Sequence, residues 1–210
     1  MVKWHQLKHQ ETDKGVNERK MITMKDIVLE GDPVLKQVAK EVPMPPSEED
    51  KELLKKMLQF IKNSQDEELA EKYNLREGVG LAAPQLGISK RMFAVHFEDA
   101  NGQTYSDGYF NPKIISHSVE QTFLAGGEGC LSVERDIPGY VHRYARITLS
   151  ATNLAGEKVK LRLRGYPAIV YQHELDHLNG IMFYDHINKQ DPFNIPENTK
   201  VCDIQSDIKD

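Results

Sequence analysis

The sequence lacks the features that mark secreted, membrane-spanning or chiefly nucleic-acid-binding proteins. It has only two cysteines and one tryptophan among 210 residues. No apolar run approaches the roughly 20 residues that a membrane helix requires. The polar first 20 residues contain no apolar segment of the kind found in secretory signals. A net charge of −5 argues against nucleic acid as the main partner. These absences predict a cytoplasmic protein with no membrane partner and no direct nucleic-acid site.

Length and composition indicate one globular domain with polar ends. Hydrophobic residues make up 39% of the sequence and charged residues 28%, which is typical of globular proteins. We predict a disordered extension over residues 1–20, a domain over 21–190 and a polar tail over 191–210. Cys202 falls in that tail and is expected to be a bystander, because a reducing cytoplasm disfavours a disulfide between it and Cys130.

Residue patterns predict both helices and strands along the chain. Ser47 followed by Asp50 resembles a capping box, and apolar residues then recur at helical spacing as far as Asn63. This pattern predicts a first helix. Further elements are predicted at 66–73 as a helix and at 91–96, 110–118, 146–152 and 158–164 as strands, the last two forming a hairpin.

A later helix is predicted to begin at Pro167 and to end before Gly180. Proline is favoured in the first turn of a helix, and glycine is favoured just after its end. Ala168, Leu175 and Leu178 form an apolar stripe along this segment. The predicted fold class is therefore α+β, with mostly antiparallel sheets packed around this central helix.

The same helix carries the segment His173-Glu174-Leu175-Asp176-His177. Residues four apart share one helix face, so His173 and His177 can bind a single divalent metal. Glu174 can then accept a proton from water that the metal activates. The alternative is a pair of half-buried histidines beside a surface glutamate. The apolar neighbours disfavour this alternative, because burying these polar groups without partners would be costly.

A third metal ligand would decide the type of site. An extended zinc protease pattern requires a histidine at position 183, where the chain has Phe183. His186 is out of register, and Glu197 lies in the polar tail. Cys130 is the better candidate, although an isolated cysteine is more often a small buried apolar residue. Three protein ligands and one open position are typical of a hydrolytic metal, whereas Cys202 as a fourth ligand would make a closed structural site.

Three separated motifs occur in order along the chain: Gly78-Val79-Gly80-Leu81-Ala82-Ala83-Pro84-Gln85, Glu128-Gly129-Cys130-Leu131-Ser132 and Gln172-His173-Glu174-Leu175-Asp176-His177. With these motifs the chain resembles the bacterial peptide deformylases over residues 21–190. The long stretch before Gly78 and the loop at 99–108 resemble the longer, Gram-positive-type branch of that family. The polar tail lacks the amphipathic helix of the shorter branch.

The resemblance implies a metal-dependent hydrolase that removes the formyl group from the N-terminal formylmethionine of newly made polypeptides and releases formate. Cys130, His173 and His177 would bind the metal, and Glu174 would transfer the proton. Gln85 and the backbone N–H of Leu131 would stabilise the oxyanion. A Cys-His-His ligand set suits zinc or iron(II). The resemblance implies iron(II) in the cell, with zinc, nickel or cobalt as substitutes.

The resemblance also implies how a peptide is held. The substrate would add a strand beside the chain, and an apolar pocket would take the methionine side chain. Each of the apolar pocket candidates is more simply explained as a core residue. Glu128 is expected to be structural with Arg143 as its cationic partner, and Asp176 to support the ligands from behind. Formylmethionyl nascent peptides are the expected partners, the ribosome is a further candidate, and a monomer is expected. The substrate-binding candidates are Val79, Gly80, Gly129, Tyr166 and Ile169.

Overall fold

The computed structural model describes residues 21–202, so the predicted extension at 1–20 lies outside the described residues. Three α-helices and eight strands occur within this part of the chain. None of its helices is long and apolar enough to cross a membrane. The helices are α1 (Glu48–Ser64), α2 (Glu67–Tyr73) and α3 (Tyr166–Leu178). The strands are β1 (Gly80–Ala82), β2 (Met92–Glu98), β3 (Thr104–His117), β4 (Gln121–Leu124), β5 (Arg143–Tyr144), β6 (Arg146–Asn153), β7 (Lys158–Arg164) and β8 (Thr199–Cys202).

Five strands form an antiparallel sheet in the order β1-β2-β3-β6-β7. The predicted hairpin is confirmed, since β6 and β7 pair with Leu149 opposite Leu161. Strand β3 begins at Thr104, six residues before the predicted start at Phe110. Its first half is polar and pairs with β2 as far as Glu98. Pairing with a neighbouring strand therefore extends β3 beyond its hydrophobic pattern.

Helix α1 follows its sequence signals closely. The Ser47 hydroxyl accepts a hydrogen bond of 3.1 Å from the Asp50 N–H, which satisfies an N-terminal donor. Leu54, Met57 and Ile61 recur at helical spacing and are fully buried, and the helix packs against β2. Both predicted N-terminal helices are confirmed within one or two residues.

Helix α3 packs against strands of both sheets and carries His173 and His177. It contacts β1 and β2 of the large sheet and β5 of the small one. Ala168, Tyr171 and Leu175 belong to the core that covers the large sheet. Gly180 has a φ of 72°, and the N–H of Ile181 donates to the carbonyl of Asp176 at 2.9 Å. This left-handed residue ends the helix where the sequence predicts.

A second sheet of three strands has the order β5-β4-β8. Strand β8 lies parallel to β4, with Cys202 opposite Leu124. The polar tail predicted over 191–210 thus includes a strand at Thr199–Cys202, and Cys202 is buried. The sequence analysis missed this strand because it is short and mostly polar. The strand forms by pairing with β4, where Gln121 lies opposite Thr199 although the two are 78 residues apart in the chain.

Candidate metal centre

Three potential metal ligands converge where the loop after β4 meets the C-terminal half of α3. The ligand atoms of Cys130, His173 and His177 all lie within 4.8 Å of one another. The Cys130 Sγ lies 3.3 Å from His177 Nε2, and the two imidazole centroids are 5.0 Å apart. The one-turn spacing on α3 aligns the two histidines, and the loop after β4 brings in the cysteine.

Arg76 holds the loop that carries Cys130. Its guanidinium donates hydrogen bonds of 3.2 Å to the carbonyls of Cys130, Leu131 and Val133. Three hydrogen bonds from one planar guanidinium fix the backbone at Cys130 and after it. The sequence analysis did not identify Arg76, because an arginine in a polar loop gives no signal of what it binds.

A buried ion-pair network supports the histidines from behind. Glu128 Oε2 lies 2.8 Å from His173 Nδ1, so the opposite nitrogen of that ring faces the cluster. Arg143, which is 3% exposed, bonds Glu128 on one side and Asp176 on the other. Burial alone would raise the pKa of Glu128, but the Arg143 guanidinium outweighs it and lowers that pKa to about 2. The carboxylate therefore stays ionised against the ring.

Glu174 lies beside the cluster in a buried position. It is 3% exposed, and its Oε2 has no hydrogen-bond partner among residues 21–202. Burial raises the pKa of Glu174 to about 7, against the attraction of the two histidines. A Cβ at position 80 would lie 2.5 Å from Glu174 Cδ. The absence of a side chain at Gly80 therefore leaves room for the Glu174 carboxylate. This steric requirement for glycine was not predicted from the sequence.

The donor set fits a divalent cation. A thiol and two imidazoles are the ligands that zinc and iron(II) prefer. Burial would raise the pKa of the Cys130 thiol, but His177 and His173 together lower it well below its usual value, which favours the thiolate. The two alternatives for the third ligand lie elsewhere, since His186 bonds Asp176 at 2.7 Å and Glu197 is exposed. Cys202, the candidate fourth ligand of a closed site, lies on β8.

Gln85 points its amide nitrogen towards the cluster. It lies in the 3₁₀ turn Ala83–Leu86 and is 1% exposed. Its Oε1 accepts a hydrogen bond of 2.9 Å from the Ala82 N–H, which leaves Nε2 to face Ser132 Oγ at 3.3 Å and Cys130 Sγ at 3.5 Å. The backbone therefore fixes which end of the amide faces the cleft.

A cleft of about 330 Å³ opens over the cluster. All five substrate-binding candidates line it, together with Gln85, Cys130, Leu131 and Glu174. His177 is 1% exposed and lies deeper. Four further residues line the cleft and were not predicted from the sequence: Arg76, Glu77, Leu124 and Val170. The candidates are Val79, Gly80, Gly129, Tyr166 and Ile169.

Comparisons with known proteins identify the family of this chain. A family model described as polypeptide deformylase matches residues 24–193. Peptide deformylase 2 of Bacillus cereus is 66% identical over 180 residues, covering 86% of this chain and 98% of the relative. The peptide deformylase of Listeria monocytogenes is 59% identical over 181 residues, covering 86% and 99%.

Solved structures give the same result for the fold. The crystal structure of peptide deformylase from Thermotoga maritima is 37% identical with a TM-score of 0.60, covering 77% of this chain and 96% of that one. A Met-Ala-Ser-bound class I type b peptide deformylase from Acinetobacter baumannii is 33% identical with the same TM-score and the same coverage. This chain belongs to the polypeptide deformylase family.

Proposed function

We propose that this chain is a metal-dependent hydrolase that removes the formyl group from N-terminal formylmethionine of newly made polypeptides. The observation that carries the proposal is the convergence of Cys130, His173 and His177 within 4.8 Å, beside the buried carboxylate of Glu174. Membership of the deformylase family supplies the reaction. The reaction follows synthesis of the nascent chain, so we place it in the cytoplasm, with the ribosome as a candidate partner and a monomer as the working unit.

Cys130 Sγ and the two imidazoles would hold one divalent cation. Once bound, the cation would lower the pKa of a water molecule towards ~7 and would polarise the formyl oxygen. We propose iron(II) as the physiological metal, with zinc, nickel or cobalt as substitutes, because this donor set accepts all four. Glu128 and Arg143 orient His173, and Asp176 completes that support.

Glu174 transfers the proton. Its Oε2, which has no hydrogen-bond partner among residues 21–202, can accept a proton from the attacking water and then deliver it to the leaving amine, which releases formate and a free N-terminus. The space above Gly80 lets this carboxylate sit close to the scissile bond. One side chain thus serves as base and then as acid.

Two donors stabilise the oxyanion that develops on the formyl oxygen. We assign these roles to Gln85 Nε2, which its bond from Ala82 orients, and to the backbone N–H of Leu131, which Arg76 helps to position through the adjoining carbonyls. Loss of one such donor typically lowers turnover by about 10²–10³.

The peptide would bind in an extended conformation beside β1. This strand is at one edge of the large sheet, so its free side can pair with a peptide strand. Gly80 would pair with the peptide on one side and Gly129 on the other. The pocket for methionine would be lined by Val79, Leu131, Tyr166 and Ile169. A relative with Met-Ala-Ser bound supports a short peptide as the occupant of this cleft.

Formate release from formyl-Met-Ala tests the proposal. Iron-loaded and zinc-loaded protein are compared with protein that has been treated with a chelator. We expect release by both loaded forms, more rapid with iron, and none after chelation. Equal release with and without metal would overturn the proposal. Acetyl-Met-Ala is the matched control peptide.

A further inference from the structure

The side chain of Gln65 reaches from the end of α1 to the start of β1 and to β2. Gln65 directly follows the last residue of α1 and is half-buried. Its Nε2 donates hydrogen bonds of 2.8 Å to the Gly78 carbonyl and of 2.7 Å to the His96 carbonyl. Both hydrogens of one amide group thus connect the chain just before β1 with the backbone of β2.

The bond to His96 occupies a position in the sheet that a main-chain donor would normally fill. In the register of β1 and β2, Gly80 lies opposite Val95, and the next step places Val79 opposite His96. Opposite residues of a hydrogen-bonded antiparallel pair exchange two bonds. Of these two bonds, the described residues form only the one from the His96 N–H to the Val79 carbonyl, at 2.9 Å. The His96 carbonyl accepts from Gln65 instead.

The N–H of Val79 is therefore not used in the sheet. Within residues 21–202 this N–H has no hydrogen-bond partner. Val79 and its neighbour Gly80 line the cleft over the metal centre. A main-chain donor at a cleft is available to a ligand, and it must find an acceptor there once the ligand has displaced water, because an unpaired buried donor is costly.

Ser64, the last residue of α1, holds the same segment by a second contact. The Gly78 N–H donates to Ser64 Oγ at 3.2 Å, and that hydroxyl donates to the Ile61 carbonyl at 2.7 Å. Glycine has more backbone freedom than any other residue. Two consecutive side chains, Ser64 and Gln65, thus fix both polar groups of Gly78 and the direction in which the chain enters Val79.

We propose that Gln65 is a positioning residue for the substrate peptide. By bonding the His96 carbonyl, Gln65 keeps the Val79 N–H turned into the cleft, where that N–H donates to a backbone carbonyl of the extended peptide. Gln65 does not line the cleft itself and acts only through Val79. This inference rests on the proposed function, since it concerns how the same cleft holds its peptide.

A purely structural role for Gln65 explains less of this geometry. If Gln65 served only to attach α1 to the sheet, its bond to Gly78 would suffice. Val79 could then bond His96 in both directions, as in an ordinary ladder, and β1 would still be held to β2. The observed arrangement places a side-chain donor on the His96 carbonyl and leaves a main-chain donor at the cleft.

Steady-state formate release from formyl-Met-Ala by the full iron-loaded protein tests the proposal with the variant Gln65→Met. Methionine has a similar length but no donor, so the Val79 N–H should turn to the vacated His96 carbonyl. A bond to a part of the substrate that does not react supports substrate and transition state equally, so its loss raises KM and leaves kcat unchanged. We expect KM to rise about fivefold to tenfold, the effect of losing one hydrogen bond.

Gln59→Met is the matched control. Gln59 lies on the same helix and is exposed, and its Nε2 donates to the side chain of Asn63 at 2.8 Å. Both kinetic constants should stay near wild type in this control. A wild-type protein that releases no formate would refute the proposed function. An active wild type with an unchanged KM in Gln65→Met, or with equal rises in the two variants, would refute this inference alone.

Amide hydrogen exchange of Val79, measured by NMR on zinc-loaded protein, tests the same inference without turnover. In the wild type this amide should exchange rapidly, and the peptide Met-Ala-Ser should slow its exchange at least tenfold. In Gln65→Met the exchange should be slow without peptide, because the amide then bonds His96. Slow exchange of Val79 in the free wild type would overturn the proposal even if the variant failed to fold. A fall in kcat as large as the rise in KM would also overturn it, since the variant would then disturb the metal centre.

Discussion

Arg143 donates two hydrogen bonds of 2.9 Å, from Nε and Nη2, to the two carboxylate oxygens of Glu128. Both side chains are almost fully buried, and Glu128 in turn contacts His173. A two-point contact fixes the carboxylate plane as well as its position. The orientation of the His173 ring is thus fixed by the Glu128–Arg143 ion pair, although neither of these residues is a candidate metal ligand.

Replacing Arg143 by leucine should therefore be strongly destabilising. The change leaves Glu128 as a buried charge without its cation, and such losses cost about 3–5 kcal/mol. The measurement is urea unfolding of the metal-loaded protein. Arg146→Leu is the control, because its pair with Glu120 is exposed, is screened by solvent and should contribute little to stability. Similar losses in the two variants would contradict the assigned importance of the buried pair.

Replacing Asp107 by asparagine should stabilise the protein at neutral pH. Burial raises the pKa of Asp107, while its Oδ1 accepts hydrogen bonds from the N–H groups of Gly108 and Leu154. A raised folded-state pKa means that the neutral carboxyl is favoured in the fold. Wild-type stability therefore falls as the pH rises from about 3.8 through the folded-state pKa.

Asparagine keeps the oxygen that accepts the two hydrogen bonds but carries no charge. The variant should therefore reach its full stability advantage over the wild type only at pH values above the folded-state pKa of Asp107. Thermal unfolding at pH 3 and pH 7 measures the difference between the two proteins. We expect near-equal stabilities at pH 3 and a more stable variant at pH 7. A variant that is less stable at both pH values would show that burial does not disfavour the ionised Asp107.

Replacing Glu174 by glutamine should remove most turnover and leave the metal bound. Glutamine has nearly the same shape but cannot accept the proton, and positioned acid–base groups contribute about 10²–10⁴ in rate. Formate release and metal content are measured on the same preparation. Formate release at more than a tenth of the wild-type rate, with metal retained, would refute the proton-transfer role.

Replacing Gly80 by alanine should lower turnover by displacing Glu174. The added Cβ would lie 2.5 Å from Glu174 Cδ, so the carboxylate must move. Gly126→Ala is a matched control, because a Cβ there has no heavy atom within 4 Å and the residue does not have a positive φ. We expect the kcat for formyl-Met-Ala to fall at least tenfold for Gly80→Ala and to stay near wild type for the control. An equal effect of both changes would contradict the steric role.

Local signals predicted the elements that depend on nearby residues. Ser47 and Asp50 determine where α1 begins, and the alternation around Leu161 predicts β7, because these signals lie within a few residues of their effects. The metal-binding candidates were also predicted, since two of them lie on one helical turn. Spacing alone left the third ligand open, and the family motifs favoured Cys130.

Other features depend on distant pairing and could not be predicted from local pattern. Strand β8 exists because residues near Cys202 pair with β4. Arg76 matters because its guanidinium reaches carbonyls more than 50 residues later. The constraint on Gly80 comes from Glu174, which folding brings from another element. Each of these three features is a contact between residues far apart in the chain, and such contacts produce no recognisable pattern in the local sequence.

X-ray absorption spectroscopy of zinc-loaded protein tests the central claim most directly, because it counts the sulfur and nitrogen ligands of the bound ion. The account predicts one sulfur at about 2.3 Å from zinc and two imidazole nitrogens at about 2.0–2.1 Å, with an oxygen in the remaining position. Cys130→Ser should remove the sulfur contribution. A spectrum without sulfur would exclude Cys130 as a ligand, and one with two sulfurs would indicate a closed site that includes Cys202.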